Sequence, residues 1–529
     1  MSSETATRSA REATREVDVA IVGYGPVGAT AANLLGVEGL SVVVIEREPS
    51  IYSRARAIST DEEVMRAWQR TGLADALEAD MLPEKPIDFV DSDGRSFLNF
   101  TPRTRGNGHP PQLFIYQPAV EETLRRGVKR YPNVEVWLGQ ECFRIVQGPE
   151  SVELLVADLD GGALRRLRAR YVIAADGGSS PTRAQLGVGF EGRTYEDRWL
   201  VIDTEVLREW PEHDRLRFHC DPQRPAVDCP TPLGHHRWEF PVLPGEDEAE
   251  LATDASVWSL LAGHGITEEH VRLLRAVVYS HHVRFATRWR SGRVFLAGDA
   301  AHVMPPWIGE GMASGVRDAA NLCWKLAAVL RGELPESALE SYETERQPHV
   351  REMTSWAVRA GMLITQRRAA LAWVRNHVFR AAMRLPGLGS WLREGSWFPD
   401  PHYREGLLAQ DAHPAVGWLP PQPWVLDGEG RRARLDDALG RGWVLLRPPS
   451  ENTRRDESAW QDAGARPVVL LPAGSEPRPG AVVDIDNQLV AWMHEHRAAS
   501  LVLRPDGFVH SAAPAGHALP APPWARRAA

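Results

Sequence analysis

The chain has 529 residues, 61 of them Lys or Arg against 70 Asp or Glu, for a net charge of −9; 43% of it is hydrophobic. That length predicts two or three domains rather than one core, and the ordinary apolar and charged fractions predict a folded globular protein. An acidic chain without a basic block, with only Lys85, Lys129 and Lys325 among its lysines, argues against nucleic-acid binding.

In chain order, residues 1–16 are polar and mixed in charge without an apolar run, so they read as a disordered arm rather than a signal peptide. From 19 to 47 the chain reads strand, glycine turn, helix, strand, acid. Gly23, Gly25 and Gly28 form G-x-G-x-x-G between an apolar β-branched run and an alanine-rich helical stretch, and Glu46 closes the next strand. In that context the pattern predicts a dinucleotide site. Gly23 permits the tight turn, Gly25 lets the backbone approach a diphosphate, and Gly28 lets the helix pack on the strand. The diphosphate sits at the helix N-terminus and Glu46 accepts from ribose hydroxyls. The uncharged run at 19–37 carries four glycines and is better explained by this unit than by a membrane span.

DEEVMRAWQRTGLADAL reads as helical and completes a segment ending near residue 80. Residues 86–100 alternate like a strand pair around Asp93-Gly94. Residues 117–130 read as a helix with Pro118 near its start. VEVWL, VELLVADL and the buried strand of RYVIAADGGSS follow. From 191 to 290 the pattern is strand-rich, with WLVIDTEV, RLRFHC and HHRWEFPVL, and this is the stretch assigned to substrate. RVFLAGDAAHVMPPWIGEGM is a strand ending at Gly298-Asp299, then a Pro- and Gly-rich loop; residues 310–385 are helical. The Pro-, Gly- and Trp-rich stretch 386–425 reads as a linker, and 426–529 as strands of a smaller α/β domain. Cys142, Cys220, Cys229 and Cys323 lack C-x-x-C spacing, which suits a reducing cytoplasm rather than a disulfide scaffold or zinc site, and they read as buried small hydrophobes.

These motifs resemble those of the group A flavoprotein monooxygenases of the para-hydroxybenzoate hydroxylase type, and within that class the 3-(3-hydroxyphenyl)propionate hydroxylases. The resemblance rests on the glycine motif with Glu46, on Asp176-Gly177 with Ser180 and Arg183 in D-G-x-x-S-x-x-R spacing, and on Gly298-Asp299 followed by Ala300, Ala301, His302 and Pro305. It extends to RARAISTDEE, YQPAVEETL and HCDPQRPAV…RWEFPVLPGE, covering about residues 17–350. The implied fold is α/β. A Rossmann-like FAD-binding domain (17–190 and 291–385, with a helical extension) is interleaved with a β-sheet substrate domain (191–290). A thioredoxin-like C-terminal domain (426–529) follows, where RPDGFV matches a recurring R-P-D-G pattern. No cysteine follows Cys323, so that domain is expected to be a lid or oligomer surface rather than a redox module.

The resemblance implies FAD as cofactor, NAD(P)H as co-substrate, and O2 delivered through a flavin C4a-hydroperoxide to a phenolic acid, ortho to its hydroxyl. The preferred substrate is 3-(3-hydroxyphenyl)propionate or 3-hydroxycinnamate. The alternatives are a tailoring hydroxylase or Baeyer–Villiger monooxygenase of a larger aromatic polyketide, and a non-catalytic flavin-binding protein. A cytoplasmic protein without nucleic-acid or membrane partners is implied, and a homodimer is left open. Asp299 is expected on the ribityl chain, Arg56 near the FAD phosphates, Gln117 on the flavin, and Arg47 among the cofactor-binding residues. Pro305 and Pro306 would shape the wall beside the isoalloxazine. The helix beginning at Gly311 and Met312 would aim its N–H groups at the flavin. Asp176 and Arg183 would link the FAD strands to the pyridine-nucleotide path, although Asp176 reads equally as a structural turn aspartate.

Glu310, where relatives often carry glutamine, is expected to face solvent. His302 reads as a satisfied structural group, and the tryptophans, Trp307 and Trp324 included, as core. Arg217 and His219 alternate on one strand and should share a face, with Arg237 on another. Either arginine could meet a substrate carboxylate or be an exposed strand charge. Tyr116 and His282 are both candidates for deprotonating the phenol, and the sequence does not choose between them.

Overall fold

The β-branched run at 17–22 forms β1 (Arg15–Val22), whose residues from Val19 onward are buried. Burial on both faces is what a central parallel strand requires. The structure, a computed structural model, describes residues 14–51, 56–410, 413–449 and 455–524, without the side chains of 194–197 and 455–457. The first thirteen residues of the expected arm lie outside that set, and Arg15 and Glu16 already pair in β1.

Helix α1 (Pro26–Val37) follows with Pro at its first turn, where a missing N–H costs nothing. It returns to β2 (Val42–Glu46). Helix α2 (Gln117–Val128), β3 (Val134–Leu138) and β4 (Leu164–Ala174) complete the unit. β1 pairs in parallel with β2 and β4, β2 with β3, and β4 with Val294–Leu296. A hairpin, Gln140–Gln147 and Val152–Asp158, extends β4 antiparallel.

The second sheet is built on β5 (Phe190–Val206), β6 (His235–Pro241) and β7 (Val271–Ala286), with β5 antiparallel to both. It continues through Ala226–Thr231 and Leu216–His219 to Ile87–Val90 and Ser96–Phe100. The strand pair around Asp93-Gly94 therefore belongs to this sheet. Helices α3 (Gly311–Leu330) and α4 (Ser341–Ile364) pack behind the first sheet. At Gly315 a Cβ would lie 2.5 Å from Val27, so glycine is what lets α3 close on the start of α1.

A third sheet follows in the order Arg432–Arg434, Trp424–Leu426, Ala481–Asp484, Arg466–Leu471, Val444–Arg447, Ser500–Leu503, Val509–Ala513. Its three central strands are parallel and its edges antiparallel. Two buried ion-pair groups dock it. Arg66 meets Asp436 at 2.7 Å, and Arg504 meets Glu345 of α4 at 2.8 Å. Among the described residues no helix is long and apolar enough to cross a membrane.

Candidate active site

Parallel α/β sheets place ligands at the carboxyl ends of their strands. A cavity of about 1270 Å³ opens there, lined by Val22, Glu46, Ala175 and Ala297, and reaches across the start of α3 to the second sheet. At Gly23 (φ +101°) a Cβ would lie 2.3 Å from the Ala175 carbonyl oxygen, and at Gly28 it would lie 2.0 Å from the Gly23 carbonyl oxygen. Both are packing glycines. Gly25 differs: it lines the cavity, and a Cβ there meets no protein atom within 4 Å. An uncrowded glycine facing a cavity just before a helix N-terminus is a cradle for an anionic diphosphate. Glu46 accepts from the Tyr24 and Glu48 N–H groups at 2.7 and 2.8 Å, which fixes its carboxylate at the cavity edge.

The opposite wall is set by Gln117, the first residue of α2. Its Oε1 accepts from the N–H groups of Arg56 and Ala57, both at 2.8 Å, and its Nε2 donates to Glu121. The side chain thus positions the Arg56 loop while lining the cavity. Arg56 reaches Asp299 at 3.3 Å, and both line the cavity, as does the exposed Arg47. Asp176 accepts from Ser180 Oγ at 2.5 Å and from the Thr182 N–H at 3.0 Å. Its carboxylate is therefore spent on the turn, although the residue borders the cavity. Arg183 donates to the Gly178 and Ala300 carbonyls. It ties the second motif to the third.

Gly298 has φ +59° and donates its N–H to Asp318 of α3 at 3.0 Å. Asp318 also binds His302 at 2.7 Å and Arg346 at 2.9 Å. His302 is thus an internal tether. Gly311 and Met312 begin α3 at the cavity, whose helix end offers free N–H groups. Pro306 lines the cavity; Pro305 is buried behind it and does not.

The expectation that Glu310 faces solvent is corrected. Glu310 is buried, and Arg317 donates to it at 2.8 Å while also meeting Asp61 and Glu63 at 2.5 and 2.7 Å. Burial, followed by the neighbouring Asp61 and Glu63, pushes the Glu310 carboxyl up to about 7 despite Arg317.

The far half of the cavity is aromatic, with Phe89, Phe100, Phe218, Trp307, Trp397 and Phe398 in its wall. Trp307 is half-buried, packing against the core of the second sheet while also lining the cavity, whereas Trp324 is buried. Residues 395–401, read from sequence as linker, supply part of this wall: Gly395, Trp397, Phe398, Pro399 and Pro401. The signal was present in their aromatic content, but only the tertiary fold shows what they cover.

The structure does not bring the three substrate candidates to the cavity. Arg217 and His219 share a face as predicted, but both turn to the buried Asp228, at 2.9 and 2.6 Å. Burial would raise Asp228, yet its hydrogen bonds from His219 and His236 hold it well below the usual range. The cavity face of that strand is Leu216 and Phe218. Arg237 lies one layer back, donating to Asp203 at 2.7 Å and to the Arg56 carbonyl at 3.0 Å. Tyr116 is also absent from the lining, its ring stacked on His235 at 4.4 Å. His282 does line the cavity. Among the lining residues not singled out in the sequence are Glu239, His281 and Arg103. Arg103 is exposed on the cavity rim, and no ion pair engages it among the described residues.

The family model described as FAD binding domain matches residues 16–357, and the HcaD C-terminal domain model matches 417–521. The chain is 36% identical over 505 residues to the 3-(3-hydroxy-phenyl)propionate/3-hydroxycinnamic acid hydroxylase of Burkholderia cenocepacia (strain HI2424), covering 93% of each chain. It is 36% identical over 513 residues to the enzyme of the same name from Mycolicibacterium gilvum (strain PYR-GCK), covering 94% of this chain and 89% of that one. Its fold is similar to that of the flavin-dependent monooxygenase PieE in complex with FAD and substrate (TM-score 0.81, 23% identity, 94% and 96% covered). It is also similar to that of aklavinone-11 hydroxylase in complex with FAD and aklavinone (TM-score 0.74, 23% identity, 95% and 97% covered).

Proposed function

The chain belongs to the flavoprotein hydroxylase family marked by the FAD binding domain, and on that footing we propose that it hydroxylates a phenolic acid ortho to its hydroxyl. The substrate class is 3-(3-hydroxyphenyl)propionate or 3-hydroxycinnamate, the electron donor NAD(P)H and the oxygen source O2. The observation that carries the reading is the two-part cavity: a dinucleotide cradle at Gly25 opening, past the start of α3, into an aromatic chamber.

FAD, when bound, supplies the electron transfer and oxygen activation that side chains lack. The chain's own residues hold and shield it. Gly23, Gly25 and Gly28 shape the turn that takes the diphosphate, Glu46 faces the ribose, and Arg47 and Arg56 face the phosphates. Gln117 holds the Arg56 loop in place, Asp176 holds the second turn, and Asp299 faces the ribityl chain. The N–H groups at Gly311 and Met312 favour negative charge on the adjoining ring, and Pro306 forms the wall beside it. Phe100, Phe218, Trp397 and Phe398 exclude water from the oxygenation step. With Arg217 and Arg237 paired internally, Arg103, a cavity arginine that no ion pair engages among the described residues, is the group to meet a carboxylate. A cytoplasmic location fits the four free, buried cysteines, and a homodimer is the assembly considered.

The test is NADH and NADPH oxidation by the purified flavoprotein, with and without 3-(3-hydroxyphenyl)propionate. The expected result is oxidation stimulated by the acid and a catechol product one oxygen heavier. A yellow protein indifferent to the acid would move the substrate to a larger aromatic.

A further inference from the structure

If the substrate is a phenol, as that reading holds, some group must bind its hydroxyl. The hydroxyl's position decides which ring carbon is presented for oxygenation. Polar side chains also line the chamber, but several are already engaged. Tyr279 lies beside Glu239, Arg237 and Asp203, and Arg275, His282 and Arg284 have partners of their own. His281 is different. It lines the cavity, only 4% of its surface is exposed, and no hydrogen bond engages its imidazole among the described residues. A buried ring nitrogen left unpaired is costly unless a ligand satisfies it.

The ring is also held in place. It stacks on Trp199 at 5.9 Å and meets the edge of Trp307 at 5.2 Å and 89°. Trp307 directly follows Pro306, so the imidazole is braced against the loop that leads into α3. The pairing of β7 with β5 is interrupted between Ser280–Arg198 and His282–Thr194, so His281 has no partner in the ladder. Burial, with His282 beside it, lowers the imidazole to about 4, so at neutral pH the ring is uncharged and has one accepting nitrogen.

We propose that the imidazole of His281 accepts, at the ring nitrogen that faces the cavity, the hydrogen bond of the substrate's phenol hydroxyl, and that this contact is how the site selects and orients a hydroxylated ring. The hydroxyl keeps its proton in this complex, so no bond is made or broken.

The experiment compares wild-type holoenzyme with His281→Phe and His281→Gln. The dissociation constants of 3-(3-hydroxyphenyl)propionate and 3-phenylpropionate are read from the flavin absorbance change, together with product formed per NAD(P)H consumed. Wild type should prefer the hydroxylated acid. His281→Phe should lose about 10-fold of that preference at unchanged FAD content, the worth of one buried hydrogen bond. His281→Gln, whose amide oxygen can accept in place of the imidazole, should retain most of it. Should the Phe variant not hold FAD, His281→Met is read by the same criterion. Full preference in a non-accepting variant, with wild type binding the acid, overturns the role of His281 and leaves the proposed function standing. A wild type that binds neither acid overturns both.

Discussion

A methyl group on Gly28 would sit 2.0 Å from the Gly23 carbonyl oxygen, whereas one on Gly25 meets no protein atom within 4 Å. Two glycines of one motif should therefore fail differently. Gly28→Ala must push helix and turn apart, and a loss of ~2–3 kcal/mol in folding stability follows from overpacking of this kind. Gly25→Ala should melt like the parent when both are freed of flavin, yet bind FAD at least about 10-fold more weakly, because the methyl fills the space through which backbone approaches diphosphate. Thermal melts of the two apoproteins and flavin titration check this. Equal destabilisation of both would remove the cradle assignment. The glycines were legible in the sequence because a backbone constraint leaves a fixed spacing. Arg217 and His219 were legible only in part. Strand alternation fixed their common face, but which side of the sheet meets the cavity depends on Asp228, nine residues beyond His219 on the next strand.

Glu310 shows what happens where two elements meet. It caps α3, one turn and more before Arg317, and the helix Glu62–Gln69 with its cap Asp61 brings Asp61 and Glu63 against the same guanidinium. One cation faces three carboxylates, and Glu310 is pushed up, to about 7 from an ordinary 4.5. A raised carboxyl means that the fold keeps a proton the unfolded chain releases. Its stabilising effect is full below about pH 4.5 and is lost as pH rises through about 7. Glu310→Gln copies the protonated form and retains an oxygen for Arg317. It should be the more stable protein at pH 8 by on the order of 2 kcal/mol, with the difference vanishing near pH 4.5. Denaturant unfolding at both pH values measures this, and a variant less stable at pH 8 would contradict it. The sequence could not reveal this cluster, since Asp61 and Glu63 lie some 250 residues from Arg317. The elements themselves were plain, because periodicity is local. The helix at 117–128 and the strand pair around Asp93-Gly94 formed where their patterns placed them. β7 was harder: Tyr279, Ser280, His281 and His282 all line the cavity, so alternation along the strand does not pick out one cavity-facing residue.

The R-P-D-G pattern near the C-terminus acquires a physical role only at the scale of the whole molecule. Arg504 leaves the third sheet and meets both oxygens of Glu345 at 2.8 Å, while Asp506 braces it from behind at 2.5 Å. Gly507, at φ +86°, makes the turn that allows this. Glu345 also takes Lys325 of α3 at 2.7 Å and the Leu407 N–H at 2.8 Å. One carboxylate therefore joins the first domain, the segment whose residues 395–401 wall the cavity, and the C-terminal sheet. Burial alone would raise Glu345, but Arg504 and then Lys325 hold it far below its usual range. Arg504→Met keeps the volume and removes the charge. It leaves Glu345 with a single cation in a buried site, and breaking a buried pair in this way costs about 3–5 kcal/mol. The melting temperature should fall accordingly, and product formed per NAD(P)H should drop as the Trp397–Phe398 wall loosens and water enters. Pairing the change with Glu345→Gln should recover part of the stability, because the uncompensated charge is then gone. Recovery of stability without recovery of coupling would show that the clamp sets the wall's position as well as the domain's attachment. An Arg504→Met protein that melts like the parent would show that the C-terminal domain is held by Arg66 and Asp436 instead.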